Sequence, residues 1–148
     1  LSLYIESVKA EYDFILIDCM PSLGMITLNA LTAANSVLIP VQAQYLSVKG
    51  VEQLINTIIK IRKRLNRNLS IAGILLTMVD YRTNYAKELS TLRRDTYSDD
   101  ISFFTTEIPQ SIRAAEISYE AKSSYLHDPK GKVADAYRVL TKEVLSGE

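Results

Sequence analysis

The chain has 148 residues, with 17 Lys+Arg against 17 Asp+Glu, 47% hydrophobic residues, five Gly, four Pro, one Cys and no Trp. These proportions exclude a disordered, collagen-like or disulfide-stapled polypeptide and fit one compact domain over residues 1–148. A lone cysteine, Cys19, cannot close an internal disulfide, which points to a reducing, cytoplasmic compartment; its apolar neighbours predict a core position. No apolar stretch reaches the roughly 18 residues of a membrane span, and Leu1-Ser2-Leu3-Tyr4-Ile5-Glu6 lacks the layout of a signal peptide. The first residue is Leu inside a helical pattern, which predicts that a segment precedes it.

In chain order, the first strong signal is Phe14 to Asp18, a short apolar run read as a buried strand. Met25 to Ala34 reads as a short crossover helix and Ser36 to Val41 as a second buried strand. Ser47 to Leu65 is a long amphipathic helix, with Val51, Leu54, Ile55, Ile58, Ile61 and Leu65 at helical spacing. Ile71 to Val79 is a third buried strand. Thr83 to Ser98 reads as a polar helix, Phe103 to Ile108 as an edge strand, Ser111 to Lys122 as a helix and Lys132 to Leu145 as a closing helix. In the last, Val133, Ala136, Tyr137, Leu140 and Val144 form an apolar stripe. Apolar runs without alternation belong to parallel strands covered on both faces. Strands alternating with helices therefore predict an α/β fold, three-layer αβα, with a mainly parallel sheet.

Open parallel sheets bind ligands at the carboxyl edge of their strands. That edge is expected to gather Asp18 to Gly24, Pro40-Val41-Gln42, Met78-Val79-Asp80 and Ile108-Pro109-Gln110. Phe14-Ile15-Leu16-Ile17-Asp18 would deliver one rigid carboxylate there, as a nucleotide-bound Mg²⁺ requires directly or through water. The same pattern also suits a turn former or a helix cap.

The longer string Tyr12-Asp13-Phe14-Ile15-Leu16-Ile17-Asp18-Cys19-Met20-Pro21-Ser22-Leu23-Gly24, then Leu28-Asn29-Ala30-Leu31, resembles the ParA/Soj family of partition ATPases. Colinear matches continue through Val37 to Gln42, Gly73 to Met78, Arg82-Thr83-Asn84, Glu107-Ile108-Pro109, Ile112-Arg113, Tyr125 to Pro129 and Ala134 to Tyr137. The resemblance implies a P-loop NTPase fold and, in the intact protein, an ATP- and Mg²⁺-dependent ATPase. Such a protein dimerises with ATP, binds DNA nonspecifically and is stimulated by a ParB-like centromere-binding partner on the bacterial nucleoid. It also implies roles: Asp18 as the Walker B acid near Mg²⁺, and Cys19, Met20, Pro21, Ser22, Leu23 and Gly24 as the loop that senses the γ-phosphate. Met78, Ile108 and Pro109 would border the adenine, and Arg82 and Arg113 would contact DNA. Met20 replaces the first proline of a frequent Pro-Pro pair and Gln44 a frequent Glu, which bears on the rigidity of the switch.

A P-loop needs Gly-x-x-x-x-Gly-Lys-Ser/Thr, so that backbone N–H groups and the lysine cradle phosphates. The one Gly-Lys, Gly131-Lys132, is followed by Val133 and has Leu126 where the earlier glycine belongs. The family's P-loop lies upstream of the Walker B strand, so the sequence reads as a downstream portion, expected neither to bind ATP tightly nor to hydrolyse it alone. A strand edge or helix face left uncovered would invite self-association. The alternative reading is a non-catalytic DNA-binding or dimerisation module derived from the family.

Lys60, Arg62, Lys63, Arg64 and Arg67 cluster in a stretch without acids from Glu52 to Asp80, which suits either phosphate neutralisation or a helix C-terminal dipole. His127, the sole histidine, has no Cys or His at ligand spacing and reads as a loop residue.

Overall fold

A computed structural model describes residues 1–20, 24–42, 48–81, 101–114 and 123–147. They form α1 (Ser2–Val8), a 3₁₀ turn (Lys9–Glu11), α2 (Met25–Ala33), β1 (Ser36–Gln42), α3 (Val48–Arg64), β2 (Ser70–Val79), β3 (Phe103–Pro109), α4 (Ser124–His127) and α5 (Lys132–Ser146). The sheet order is β1-β2-β3, with β2 and β3 parallel. No helix among the described residues is long and apolar enough to cross a membrane. The polar helix read over Thr83 to Ser98 lies outside the described residues, as does most of that read over Ser111 to Lys122, of which residues 112–114 are helical.

Contacts divide the chain into two compact units, Leu1–Val37 with Lys49–Ile71, and Leu38–Val48 with Ala72–Glu148. In the first unit, α1 meets α2. The α3 helix forms because Val51, Ile55, Ile58 and Ile61 recur on one face, and all four are buried. Its end is tied down by Asn66, whose side-chain amide donates to the carbonyls of Leu31 at 3.0 Å and Ala34 at 2.7 Å. These are carbonyls at the C-terminus of α2, which helix geometry leaves unpaired.

One expectation fails in this unit. Phe14 to Asp18 is not a strand: it forms no ladder, and Phe14 and Leu16 are 64% and 94% exposed. A strand of this composition is stable only with hydrogen-bonded neighbours and covered faces, and the described residues supply neither. Cys19, read as core, is accordingly exposed, and its thiol meets only the Ile17 carbonyl at 3.7 Å.

The second unit is built on β2 and β3. Leu75 faces Phe104, Ile108 and Leu140, with Leu38, Val133 and Ala136 around them, while Leu76 and Val79 form another cluster with Phe103. Successive residues of a strand point to opposite faces, so burial of Ile74, Leu75 and Leu76 in a row means that both faces of β2 are covered. The closing helix docks on the sheet through Val133, Ala136 and Leu140 as its stripe predicts, whereas Tyr137 and Val144 are exposed.

Candidate functional site

The site follows from sheet direction. In the second unit the parallel strands deliver Val41-Gln42, Met78-Val79-Asp80 and Pro109-Gln110 to one edge. The edge is stitched together by the Thr77 hydroxyl donating to the Val41 carbonyl (3.3 Å) and the Gln110 N–H donating to the Val79 carbonyl (3.0 Å).

The strand register is irregular there. Leu76 pairs with Glu107 and Val79 with Pro109, so β2 fits Thr77 and Met78 where β3 fits Ile108 alone. This extra residue is a bulge, and Met78 takes it in the left-handed region at φ 54°. A non-glycine residue there costs on the order of 1–2 kcal/mol. The return is orientation: the Met78 side chain, 51% exposed, stands out at the edge instead of in the sheet. Pro109, half-buried, closes the neighbouring strand, and Ile108 is turned into the core against Leu75, Phe104 and Leu140. Of the three residues expected around a base, Met78 and Pro109 thus offer side chains at the edge and Ile108 offers backbone.

Tyr81, which follows β2 and carries no motif in the sequence, hydrogen-bonds through its phenol to the Glu107 carboxylate. Partial burial, then the charge of Glu107 and this hydrogen bond, raise the phenol above its ordinary 10.0. The pair was not legible because it joins residues far apart in the chain through the parallel register.

Asp18 belongs to the other unit, where it is exposed at the end of the unpaired apolar run, followed by exposed Cys19 and Met20. Pro21, Ser22 and Leu23 lie outside the described residues, and Gly24 precedes α2 as its N-cap. Arg82 also lies outside them. Arg113 is 71% exposed, with Nη1 3.3 Å from Oδ2 of Asp128. That carboxylate lies over Gly131, the N-cap of α5, so closely that a Cβ there would fall 2.4 Å from Oδ2. The loop between Asp128 and α5 is held by Arg138, which donates to the Pro129 carbonyl at 2.6 Å and stacks over Tyr125.

No group of three or more His, Cys, Asp or Glu converges among the described residues, and no glycine-rich loop precedes a helix lysine and hydroxyl.

Comparison with known proteins gives these features a context. A family described as an AAA domain matches residues 1–71. The chain is 44% identical over 140 residues to the sporulation initiation inhibitor protein Soj of Bacillus subtilis, covering 95% of this chain and 54% of that protein. It is 40% identical over 141 residues to the chromosome partitioning protein ParA of Myxococcus xanthus, covering 95% and 49%. Among solved structures it is similar to cobyrinic acid a,c-diamide synthase from Mycobacterium smegmatis with bound ATP analogue and magnesium. There the TM-score is 0.79 at 30% identity, over 97% of this chain and 52% of the other. The chain therefore spans about half the length of the relatives it matches. The α/β fold expected from the strand pattern stands, as does the P-loop NTPase-like form of it that the resemblance implies. Over the half of those relatives that it spans, the chain is similar to the ParA/Soj chromosome-partitioning proteins.

Proposed function

We propose that this chain is the downstream part of a bacterial, cytoplasmic, nucleoid-associated partition ATPase. In the intact protein ATP drives dimerisation, the dimer holds DNA nonspecifically, and a ParB-like partner stimulates hydrolysis to move a chromosome or plasmid. The observation that carries this reading is the identity to Soj, 44% across 95% of the chain. The exposed run Tyr12 to Met20 supports it in a second way. A ParA-type protein has a P-loop strand and helix upstream, and an apolar strand-forming segment without a partner is the surface such a unit would cover.

In this reading both units belong to one ATPase domain. Asp18 is the acid associated with Mg²⁺ when nucleotide is bound, and Cys19 to Gly24 form the loop responsive to the γ-phosphate. Met78, Pro109 and the backbone of Ile108 border the base, and Arg82 and Arg113 face DNA phosphates. The phosphates themselves would be cradled by the P-loop, so these residues alone are expected to be inactive.

Titration of this chain with a fluorescent ATP analogue and Mg²⁺, alongside Asp18→Ala and a longer protein carrying a P-loop, tests the reading. Saturable binding only in the longer protein, weakened by Asp18→Ala, is expected. Saturable binding to the short chain that depends on Asp18 would refute the division of labour.

A further inference from the structure

Two turns of the first unit are stapled to each other. The side-chain amide of Asn66, in the turn after α3, donates to the carbonyls of Leu31 (3.0 Å) and Ala34 (2.7 Å) at the end of α2. Further along the same turn, the Ser70 N–H (3.0 Å) and hydroxyl (3.3 Å) both donate to the Asn35 carbonyl. The turn that makes these bonds is itself fixed. The Asn66 N–H donates to the Ile61 carbonyl of α3 at 3.2 Å, the Asn66 carbonyl accepts from the Leu69 N–H at 3.2 Å, and Leu69 is 2% exposed.

The other end of α2 is held differently. Gly24 caps it without a side-chain hydrogen bond, and Met25 and Ile26 in its first turn are 73% and 67% exposed. Burial begins at Thr27 and continues through Ala30 and Leu31 toward the stapled end. The nine residues of α2 make a stiff rod about 13 Å long. A rod that is loose where it leaves the loop 19–24 and tied where it meets the turn 65–70 passes a shift on instead of absorbing it. A helix C-terminus needs only water or a following glycine to satisfy its last carbonyls, and the four hydrogen bonds to a second turn go beyond that need.

We propose that Asn66 is a positioning residue through which α2 carries a displacement of the loop Cys19 to Gly24 to residues 65–70. The proposal rests on the ATPase reading, in which that loop answers to the γ-phosphate, and adds where the answer is delivered. Coupling between separated segments needs one connected element with two arrangements, which the ligand biases. The element here is α2 with its staple, covalently continuous with the loop at one end and hydrogen-bonded to the turn at the other. No contact between nucleotide and residues 65–70 is required.

The test is hydrogen exchange by mass spectrometry on a protein of the relatives' full length, with and without a saturating non-hydrolysable ATP analogue and Mg²⁺. It is read at Leu69 and Ser70, whose N–H groups bind the Asn66 and Asn35 backbone carbonyls and not the Asn66 side chain. In wild type, nucleotide is expected to change their exchange at least about threefold. Asn66→Asp retains an oxygen to accept from the Asn68 N–H, as Oδ1 does at 3.3 Å, and loses both donors to α2. In this variant the change at Leu69 and Ser70 should vanish while that in residues 24–28 persists. Asn66→Ala, which puts no charge beside those carbonyls, is read the same way if Asn66→Asp fails to fold. A merely structural staple would raise exchange equally with and without nucleotide and leave their ratio as in wild type, which overturns the proposal. A wild type that responds at residues 24–28 but not at Leu69 and Ser70 also overturns it, and leaves the ATPase reading intact. No saturable binding of the analogue by the full-length protein overturns both.

Discussion

Oε1 of Glu143 accepts two hydrogen bonds from Thr105, one from its backbone N–H at 2.5 Å and one from its hydroxyl at 2.8 Å. Oε2 takes the next backbone N–H, that of Thr106, at 3.0 Å. Adjacent amides of a regular strand point opposite ways, and this is where β3 departs from regularity, Ile74 pairing with Phe103 and Leu76 with Glu107. One carboxylate of α5 thus satisfies the donors that the irregularity leaves over.

Burial pushes the Glu143 carboxyl up, but the donors of Thr106 and Thr105 outweigh it and hold it below its ordinary 4.5. A depressed folded value means stability that is present above the unfolded value and lost as pH falls through the folded one. Glu143→Gln should therefore be less stable than wild type at pH 7, and the difference should shrink below about pH 4. Glu143→Ala should lose about 1–2 kcal/mol, moderated because water reaches the freed amides. Urea unfolding at pH 7 and pH 3.5 measures both.

Gly73 in β2 has φ +151°, and a Cβ there would come 3.1 Å from the Phe104 ring and from the Ser102 carbonyl. The Ile74 N–H binds that same carbonyl at 2.9 Å, so the backbone cannot retreat without breaking the pairing of β2 with β3. Gly73→Ala should destabilise by more than about 1 kcal/mol. An unchanged urea midpoint would show that the strands can part at no penalty.

Met78 separates strain from contact. Met78→Gly removes the left-handed penalty and the side chain together, so stability should change by less than about 1 kcal/mol, the gain being offset by unfolded-state entropy. In a longer protein with a P-loop, the same change should weaken nucleotide binding several-fold. A variant that is stabilised with unchanged nucleotide affinity would mean that Met78 does not border the base.

Much of this arrangement was readable from residue order, and the reasons are physical. Ile71 to Val79 is apolar enough to demand burial on both faces, and Ile55, Ile58 and Ile61 leave α3 one way to pack, whereas Ser36 to Val41, read as a buried strand, joins the sheet but buries only Ile39. Periodicity could not reveal the Tyr81–Glu107 contact, the Glu143 clamp or the bulge at Met78, which arise from register between distant segments. Phe14 to Asp18 was misread for the complementary reason, since composition reports that a segment can pair and not that a partner is present.

Arg113 offers a charge-neutralisation test of its own. Its ion pair with Asp128 is exposed on the arginine side and worth at most about 1 kcal/mol, so Asp128→Asn should leave stability nearly unchanged. If Arg113 faces phosphate, Asp128→Asn should raise DNA affinity, since it removes a competing anion, while Arg113→Gln lowers it. Equal affinities in all three proteins would take Arg113 out of the interface.

Leu16 is the most exposed large hydrophobic residue of the apolar run, with Phe14 and Ile15 beside it. In this chain the amides of residues 14–18 have no ladder partner and should exchange with solvent within seconds to minutes. Leu16→Ser should be neutral or improve solubility here, because it removes exposed apolar surface. In a protein of the relatives' full length, the proposed P-loop unit would bury this run in a parallel ladder. The same amides should then be protected to near the global unfolding limit, and Leu16→Ser should destabilise by about 2–4 kcal/mol, as large-to-small core changes do. Hydrogen exchange by mass spectrometry on both lengths decides the matter. Fast exchange over residues 14–18 in the long protein would mean that the exposed run is a surface of the family and not the seam to an upstream half.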